Sequence, residues 1–311
     1  MRKRFAPKAG RMRTISVAVT QMACSWNREN NIRIATVLVE EAVANGAQIV
    51  LLQELFETPY FCIKKDKSYF KEATTIETNP AIKAMRKLAH KHNIVVPVSF
   101  YELADNRRYN SLAMIDAGGE LMGVYRKSHI PDFPRYEETY YFAPGDTGFI
   151  IWDTKYAKIG AGVCWDQWFP EAARIMVLKG AEVLLYPTAI GRPVDGLKHE
   201  AANSKPHWQL TMQGHAAANM VVLAAANRVG VESGGDFRTQ FYGSSFIANQ
   251  LGAKVVELGE ETPGVAAHTF DLDEMAAFRR QWGIFRTRRT DLYAPLCTLR
   301  APDYLMDASR Q

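Results

Sequence analysis

The stretch Lys158-Ile-Gly-Ala-Gly-Val-Cys-Trp-Asp-Gln-Trp-Phe-Pro-Glu-Ala-Ala-Arg174 joins a strand-like run to a helix-like run through a single cysteine. We expect a strand that stops at Cys164 and turns into a helix, which leaves the sulfur at the carboxyl edge of a sheet. Helix N–H groups at such a turn favour the thiolate, the nucleophilic form of cysteine. A buried core cysteine explains the same spacing equally well, so both interpretations stay open on spacing alone.

Composition and charge narrow the class of protein. The chain has 311 residues, of which 47% are hydrophobic and 23% charged, and is long enough for one large core or two moderate ones. Its formal charge of +5 becomes −1 once the six Lys and Arg residues within positions 1–13 are set aside. The body of the chain is therefore near neutral, which argues against nucleic-acid binding.

The spacing of the cysteines and the hydropathy of the chain argue against a disulfide-rich protein, a structural metal site and a membrane-spanning protein. Cys24, Cys62, Cys164 and Cys297 form no Cys-x-x-Cys pair and no zinc-type spacing with the histidines, so we expect no disulfide framework and no structural metal. No uninterrupted apolar run approaches the roughly 18 residues that a membrane span needs. We expect a cytoplasmic protein with no membrane partner, whose residues 1–13 form a disordered basic tail or, alternatively, an Arg-rich targeting peptide.

The hydrophobic pattern predicts alternating strands and helices. Residues 14–20, 27–46 and 48–54 read as strand, helix and buried strand, which together form a crossover unit. The later predicted elements are a helix from Asn79, strands at 94–100, 109–116, 120–126, 182–187, 220–226, 241–248 and 253–258, a helix through 207–219 and a short helix after Asp271. We expect two sheets to face each other with the helices packed on their outer faces, which gives a four-layer α-β-β-α sandwich. We expect it to occupy residues 14–295 as one domain, followed by a C-terminal extension at 296–311.

Three predicted strands end in residues that carry chemistry. Glu54 ends a buried strand, Lys127 follows a hairpin strand, and Cys164 ends a third. Because the ends of neighbouring strands converge, we expect these side chains to meet and to form an acyl-transfer set. Glu54 would accept the thiol proton, Cys164 would attack, and Lys127 would stabilise the tetrahedral oxyanion. Each residue taken alone also has a structural explanation: Glu54 as a helix cap, Lys127 as a solvated lysine and Cys164 as a packed thiol.

Several separated runs resemble the nitrilase, or carbon–nitrogen hydrolase, superfamily and within it the N-carbamoylputrescine amidohydrolases. These runs are Gln53-Glu-Leu-Phe56, Tyr125-Arg-Lys-Ser-His-Ile-Pro131, Cys164-Trp-Asp-Gln-Trp-Phe-Pro-Glu171, Tyr186-Pro-Thr-Ala-Ile-Gly191, Met212-Gln-Gly-His-Ala-Ala-Ala-Asn219 and Phe241-Tyr-Gly-Ser-Ser-Phe246. The resemblance covers roughly residues 14–295. It implies the α-β-β-α sandwich, a triad of Glu54, Lys127 and Cys164, a thioester intermediate and no cofactor.

The resemblance also implies a second glutamate, a substrate class and self-association. The glutamate that precedes an aromatic pair and a Pro-Gly-Asp in the family maps onto Glu138. The implied substrate is a small molecule with a terminal ureido group, N-carbamoylputrescine first and N-carbamoyl-β-alanine or another N-carbamoyl amino acid second, with an aliphatic amide as a further alternative. We expect a homo-oligomer, at least a dimer, because the apolar tail at 286–305 has no period of its own and lies against a partner subunit in the resembling family.

Two stretches depart from the resembling enzymes. Phe133 and Arg135 replace glycines of a Pro-Asp-Gly-Pro-Gly-Tyr run, and Arg192 stands where those enzymes begin Ser-Glu-Pro. Arginine suits a substrate carboxylate, although a solvated loop arginine fits equally well, and Asp132 or Asp195 still suits an amine. The predicted substrate-binding residues are Tyr60, Asp132, Trp165, Thr188 and Arg192.

Three other classes fit the sequence less well. A Cys-His hydrolase would use His129 or His215 as base, but a glutamate already ends a buried strand, and the small residues around His215 indicate packing. A non-catalytic binding protein on this fold would be expected to have lost a triad position, and none is lost. No Gly-rich loop precedes a helix with Lys-Ser/Thr, which argues against a nucleotide site.

Overall fold

The structure, a computed structural model, describes residues 13–194 and 203–301. Nearly all of the predicted basic tail, as well as Asp195, Tyr304 and Leu305, lies outside these ranges. The chain divides into two compact units, Met1–Asp273 and Glu274–Gln311. The predicted single domain over 14–295 and the extension at 296–311 stay predictions.

Five helices and seventeen strands are present in the described ranges. The helices are α1 Arg28–Ala44, α2 Pro80–His92, α3 Pro170–Leu178, α4 Lys205–Asn219 and α5 Leu272–Trp282. The strands are β1 Thr14–Gln21, β2 Ile49–Leu51, β3 Val98–Ala104, β4 Arg107–Ile115, β5 Leu121–Arg126, β6 Asp132–Phe133, β7 Tyr136–Glu137, β8 Ile151–Asp153, β9 Lys158–Ala161, β10 Val183–Pro187, β11 Gly191–Pro193, β12 Val222–Ala226, β13 Val229–Gly234, β14 Phe237–Tyr242, β15 Phe246–Ala248, β16 Lys254–Glu257 and β17 Gly264–Asp271. In the described parts of the chain, none of the helices is long and apolar enough to cross a membrane.

Two sheets form the centre of the first unit. One has the order β17-β1-β2, and the other has the order β16-β15-β12-β10-β9-β8. Strands β1 and β2 contact β10 and β12 of the larger sheet, and β10 and β12 are buried at every position. Burial on both faces explains why these strands read as continuous apolar runs in the sequence. The architecture is mixed α/β, as predicted.

Helices α1 and α2 begin and pack as their sequences dictate. The side chains of Asn27 and Asn79 accept hydrogen bonds from the backbone N–H groups of Asn30 and Ile82, and Pro80 occupies the first helical position. The buried faces repeat at helical spacing and belong to one apolar cluster with β2 and β3. The predicted helix over 27–46 and the predicted helix from Asn79 are thereby confirmed.

The predicted continuous strand over 241–248 is wrong. Gly243 and Ser244 have φ values of 48° and 56°, so the chain turns there and divides the run between β14 and β15. A Cβ atom on Gly243 would lie 2.6 Å from the Val229 side chain, which explains why glycine stands at this close approach. The second half of the run does form the predicted hairpin, because β15 pairs antiparallel with β16.

The segment 128–148 contains a small hairpin and a 3-10 turn. Strands β6 and β7 pair through Asp132 with Glu137 and Phe133 with Tyr136. The 3-10 turn at Glu138–Tyr140 follows directly. This segment supplies side chains both to a buried charged cluster and to the wall of a cavity.

Candidate active site

Lys127 lies at the centre of a buried cluster directly after β5. Its Nζ donates to Glu54 Oε1 at 3.1 Å and to the two carboxylate oxygens of Glu138 at 2.9 and 2.7 Å. All three side chains are completely buried. Burial by itself lowers the pKa of Lys127, but Glu138 and Glu54 outweigh burial and raise that pKa well above its ordinary value. The lysine is therefore a permanent cation.

Glu54 has one oxygen held in place and one oxygen open. It lies in the turn that follows β2, where Oε1 also accepts from Asn110 Nδ2 at 2.7 Å. Within the described residues, Oε2 has no hydrogen-bond partner. A buried carboxylate oxygen without a donor is positioned to accept a proton from a reacting group.

Glu138 is held from two sides. Tyr60 donates its hydroxyl to Oε1 at 2.5 Å, while Lys127 donates to both oxygens. Burial raises the pKa of Glu138 to about 7, although Lys127 opposes the shift and Glu54 adds to it. The hydroxyl of Tyr60, predicted to contact substrate, is thus directed at Glu138, and the side chain is buried.

Cys164 occupies a strained turn and is buried beside the carboxylates. Its φ of 44° is left-handed, which costs a non-glycine residue about 1 kcal/mol or more. It begins a 3-10 turn, Cys164–Trp168, and its Sγ lies 3.8 Å from the carbonyl oxygen of Ala189. Burial raises the pKa of the thiol well above its usual value, and Glu54 raises it further, while Lys127 opposes both. A 3-10 turn and not an α-helix begins at Cys164, since α3 starts only at Pro170, and the raised pKa favours a neutral thiol that needs a base.

Asp166 fixes the Cys164 turn relative to the segment that carries Lys127. Its Oδ2 accepts from the Val163 N–H at 2.9 Å and from the Tyr125 hydroxyl at 2.7 Å. Its Oδ1 accepts from the His129 N–H at 3.0 Å and pairs with His129 Nδ1 at 2.7 Å. Residues 125 and 129 flank Lys127, so one buried carboxylate holds nucleophile and cation in register.

Neither histidine considered as an alternative base bonds to the thiol. His129 pairs with Asp166 and stacks on Phe169 with ring centroids 3.6 Å apart. His215 is buried, and its Nε2 lies 2.8 Å from the carbonyl oxygen of Gln167. These contacts disfavour a Cys-His arrangement.

Arg228 clamps the segment between Glu54 and Tyr60. The fully buried guanidinium donates from Nη2 to the carbonyl oxygens of Glu54 and Leu55 at 2.7 and 3.2 Å, and from Nη1 to Glu232 Oε1 at 2.8 Å. Glu232 Oε2 in turn accepts from the Tyr60 N–H at 2.5 Å. Sequence reasoning missed this pair, because Arg228 directly precedes β13 and Glu232 lies on it, far along the chain from Glu54, and no local pattern indicates the contact.

A cavity of about 320 Å³ opens onto Cys164. Four aromatic side chains of its lining, which we call the aromatic wall, are Phe133, Tyr136, Trp165 and Trp168. The ring of Phe133 lies 4.9 Å from that of Tyr136 and 5.2 Å from that of Trp165. Arg135 lines the same cavity. The site thus combines a largely apolar cavity with the buried cluster of Glu54, Lys127 and Glu138 beside Cys164, which we call the floor. Small-molecule sites commonly combine an apolar lining with a few polar groups.

The structure separates the predicted substrate-binding residues. Trp165 lines the cavity, whereas Tyr60, Asp132, Thr188 and Arg192 are not among its described lining. Asp132 is exposed on β6. The hydroxyl of Thr188 is buried and donates to Gln167 Oε1 at 3.1 Å, and Arg192 is 38% exposed with Nη1 3.9 Å from Glu260 Oε2. Their contact with a substrate stays a prediction.

These residues match a known class of enzyme. The chain belongs to the carbon–nitrogen hydrolase family, whose model matches residues 16–280. It is accordingly a hydrolase that acts on carbon–nitrogen bonds, and the resemblance seen in the sequence is confirmed.

Individual relatives are similar over nearly their whole length. The chain is 50% identical over 295 residues to the N-carbamoylputrescine amidase of Arabidopsis thaliana, covering 93% of this chain and 97% of the relative. It is 50% identical over 282 residues to the citrullinase of Francisella tularensis, covering 91% and 98%. A crystal structure of a carbon–nitrogen hydrolase from Helicobacter pylori G27 superposes with a TM-score of 0.87 at 37% identity, covering 93% of this chain and all of the other.

Proposed function

We propose that the protein is a cysteine-dependent amidohydrolase that cleaves the terminal ureido C–N bond of an N-carbamoyl compound. The observation that carries the proposal is the buried contact of Lys127 with Glu54 and Glu138 beside Cys164, whose side chain lines a cavity. The names of the relatives supply the substrate class, since both N-carbamoylputrescine and citrulline end in a ureido group. N-carbamoylputrescine is the first candidate by similarity.

The first half of the reaction forms a thioester. Glu54 Oε2 takes the proton of Cys164 Sγ as the sulfur attacks the ureido carbon, because the raised pKa of the thiol leaves it protonated in the free enzyme. The carbonyl electron pair moves onto oxygen, and the Lys127 ammonium stabilises this charge. Collapse of the tetrahedral intermediate expels the terminal nitrogen, which takes the proton from Glu54 and leaves as ammonia.

The second half reverses the proton transfers with water as the nucleophile. Glu54 takes a proton from water as the oxygen attacks the thioester carbon, and Lys127 again stabilises the oxyanion. Collapse expels the sulfur of Cys164, which regains a proton from Glu54. The carbamate product then loses carbon dioxide and leaves an amine.

Glu138 is the proposed fourth catalytic-site residue, acting through Lys127. Two hydrogen bonds at 2.9 and 2.7 Å fix the direction of the ammonium, and Tyr60 fixes Glu138 in turn. The lysine therefore needs no reorganisation as negative charge develops on the substrate. No cofactor enters the proposed reaction.

The proposed architecture is the four-layer α-β-β-α sandwich. Its support is that β1 and β2 contact β10 and β12, that α1 contacts β1 and α2 contacts β3 and β4, and that α3 and α4 contact β9, β12 and β15. Each sheet then has helices on the side that faces away from the other sheet.

The proposed assembly is a homo-oligomer, at least a dimer, in the cytoplasm. Leu292, Leu296 and Leu299 of the second unit are 60%, 67% and 78% exposed, an unusual placement for three large apolar side chains so close in sequence. A second subunit that covers them would remove this apolar surface from water. Light scattering at micromolar concentration tests the proposal, and a monomeric mass contradicts it.

Ammonia release from a substrate panel tests the proposed activity. The panel contains N-carbamoylputrescine, N-carbamoyl amino acids including citrulline and N-carbamoyl-β-alanine, simple aliphatic amides and nitriles. We expect the ureido compounds to give the highest kcat/KM, with ammonia and carbon dioxide formed in equal amounts. A preference for simple amides, with no carbon dioxide formed, would contradict the proposal.

A further inference from the structure

Asn110 of β4 joins the two parts of the floor that carry Glu54 and Lys127. Its side-chain Nδ2 donates to Glu54 Oε1 at 2.7 Å, and its backbone carbonyl oxygen accepts from the Lys127 N–H at 2.8 Å. The residue is completely buried, and β4 is the central strand of the sheet β3-β4-β5. One residue on a rigid strand therefore fixes the side chain of Glu54 relative to the backbone of Lys127.

Both donors to Glu54 contact the same oxygen. Lys127 Nζ and Asn110 Nδ2 donate to Oε1 at 3.1 and 2.7 Å, whereas Oε2 has no hydrogen-bond partner within the described residues. The two oxygens of a carboxylate are chemically equivalent, so its contacts decide which one stays open. If the carboxylate turned about its terminal C–C bond, Oε1 would leave both donors. The contacts thus keep Oε2 as the oxygen that exchanges a proton.

The side-chain amide of Asn110 keeps its N–H on Glu54 at a cost to stability. Its Oδ1 is buried and has no hydrogen-bond partner in the parts of the chain that the structure describes. Such a buried, unpaired oxygen is destabilising. An ionised carboxylate accepts hydrogen bonds and donates none, so the amide can serve Glu54 only through its N–H. The contact with Glu54, and not efficient packing, accounts for a polar side chain at this buried position.

The contacts from Lys127 and Asn110 respond differently when Glu54 takes up a proton. The attraction of the Lys127 ammonium depends on the negative charge of Glu54, and Glu138 binds the same ammonium through both oxygens at 2.9 and 2.7 Å. Asn110 is a neutral donor, and the carbonyl oxygen of a protonated carboxyl still accepts its hydrogen bond. Asn110 is therefore the contact that persists while Glu54 carries the proton.

We propose that Asn110 is a positioning residue for Glu54 in both halves of the reaction. It holds Oε1, so that Oε2 takes the proton of the Cys164 thiol and then, without a change in orientation, passes it to the departing nitrogen. In the second half, Oε2 takes a proton from water and returns it to the sulfur. The inference rests on the proposed cysteine-dependent hydrolysis and assigns a further residue to the same site.

Asn110→Leu removes the donor at similar side-chain volume. With N-carbamoylputrescine as substrate, we expect kcat to fall about 100-fold and KM to stay within about threefold, because proton transfer suffers and substrate contacts do not. The melting temperature should stay close to that of the wild type, because the bond to Glu54 and the unpaired Oδ1 are lost together. Alkylation of Cys164 by iodoacetamide, followed by peptide mass, should slow about tenfold, because the same base activates the thiol.

Asn110→Asp makes the hydrogen bond to Glu54 depend on pH. The introduced carboxyl donates to Glu54 only while it is protonated, and its ionisation places a second negative charge beside Glu54. We expect kcat to exceed that of Asn110→Leu at acidic pH and to fall to that level or below as the pH rises. A side chain that only fills space at this position would not give such a profile.

Ser111→Ala is the matched control. Ser111 follows Asn110 on β4, is equally buried, and donates to Glu102 Oε2 at 2.6 Å, outside the floor. Its loss should lower the melting temperature and leave kcat, the pH profile and the alkylation rate as in the wild type.

Two kinds of failure are distinguishable in this experiment. Wild-type kcat in Asn110→Leu, a wild-type pH profile in Asn110→Asp, or equal losses of kcat in Asn110→Leu and Ser111→Ala would each show that Asn110 does not position Glu54. If the wild-type protein releases no ammonia from N-carbamoylputrescine or citrulline, the proposed ureido activity is refuted. The alkylation rate of Cys164 then still decides the role of Asn110, because the reaction with iodoacetamide involves no ureido group.

Discussion

The floor and the aromatic wall are held together by different kinds of contact. On the floor, Glu54, Lys127 and Glu138 are completely buried and joined by hydrogen bonds, so every change leaves a charge without its partner. In the wall, Phe133 is 37% exposed on a two-residue strand and contacts other rings without hydrogen bonds. The difference teaches that the buried polar cluster tolerates little change, whereas a substitution in the small hairpin of the wall leaves no buried charge without its partner.

Removing the nucleophile has the largest expected effect. Cys164→Ala should abolish turnover and the covalent adduct, because Cys164 is the one thiol in the described lining of the cavity. Ammonia release and the intact mass of protein incubated with substrate measure both. Cys297→Ala, at an exposed thiol, is the control and should retain full activity. Substantial turnover by Cys164→Ala would overturn the triad.

Removal of the proposed base, Glu54, has the second-largest expected effect. Glu54→Gln keeps the shape of the side chain but removes the oxygen that accepts the thiol proton, so we expect kcat to fall on the order of 10² to 10⁴-fold. The folded state should persist, as circular dichroism and the melting temperature will show. A loss below tenfold means that another group deprotonates Cys164.

The clamp at Arg228 tests whether the floor depends on its supports. Glu232→Gln weakens the buried ion pair with Arg228 and loosens the segment that carries Glu54, so we expect kcat to fall about 10- to 100-fold with little change in KM. Asp291→Asn breaks an exposed pair with Arg289 and serves as the control, because exposed ion pairs contribute about 0 to 1 kcal/mol. An effect of Glu232→Gln on KM alone would show that the clamp acts on binding and not on the base.

A change in the wall should separate recognition from chemistry. Phe133→Leu removes ring contacts with Tyr136 and Trp165, so KM should rise roughly tenfold while kcat at saturation stays within about threefold. Steady-state kinetics with N-carbamoylputrescine and 5-ureidopentanoate measure this. A hundredfold fall in kcat would show that floor and wall are not separable.

The smallest expected effect is a pH dependence of stability from Glu138. Burial raises the pKa of this carboxyl from 4.5 to about 7, so between those values the folded protein binds more protons than the unfolded chain. The contribution of Glu138 to stability is therefore largest below about pH 4.5, declines as pH rises to about 7, and is constant above. Glu138→Gln lacks this component, so its melting temperature relative to the wild type should rise between pH 5 and 7.5. A difference that stays constant across this range would contradict the assignment.

The sequence was sufficient to predict where Lys127 and Cys164 lie relative to their strands. Lys127 follows β5 directly, and Cys164 follows β9 at the turn expected from its neighbours. The convergence of strand ends then predicts the buried floor. The contacts that hold Glu54 in place were not predictable from the sequence. The hydrogen bond between Arg228 and the carbonyl of Glu54 joins positions 174 residues apart, and no local pattern encodes it.

Helices were predicted more accurately than strands for a physical reason. The 3.6-residue period of α1 and α2 lies in one continuous segment, whereas the division of 241–248 into β14 and β15 depends on which sheet each half joins. The pKa of Cys164 was not predictable from its local sequence on similar grounds. It depends on burial and on a carboxylate from a distant segment, neither of which the helix-terminus argument includes.

The ion cluster around Lys127 also constrains how the protein folds. The two carboxylates come from positions 73 and 11 residues away, and dehydrating any one of these ions alone costs several kcal/mol. A partly folded chain that holds only two of the three therefore gains little by excluding water, so we expect the cluster to form together with the native core. We therefore expect hydrolysis of a ureido substrate to appear only with the native state, because Glu54 and Lys127 come together beside Cys164 only there.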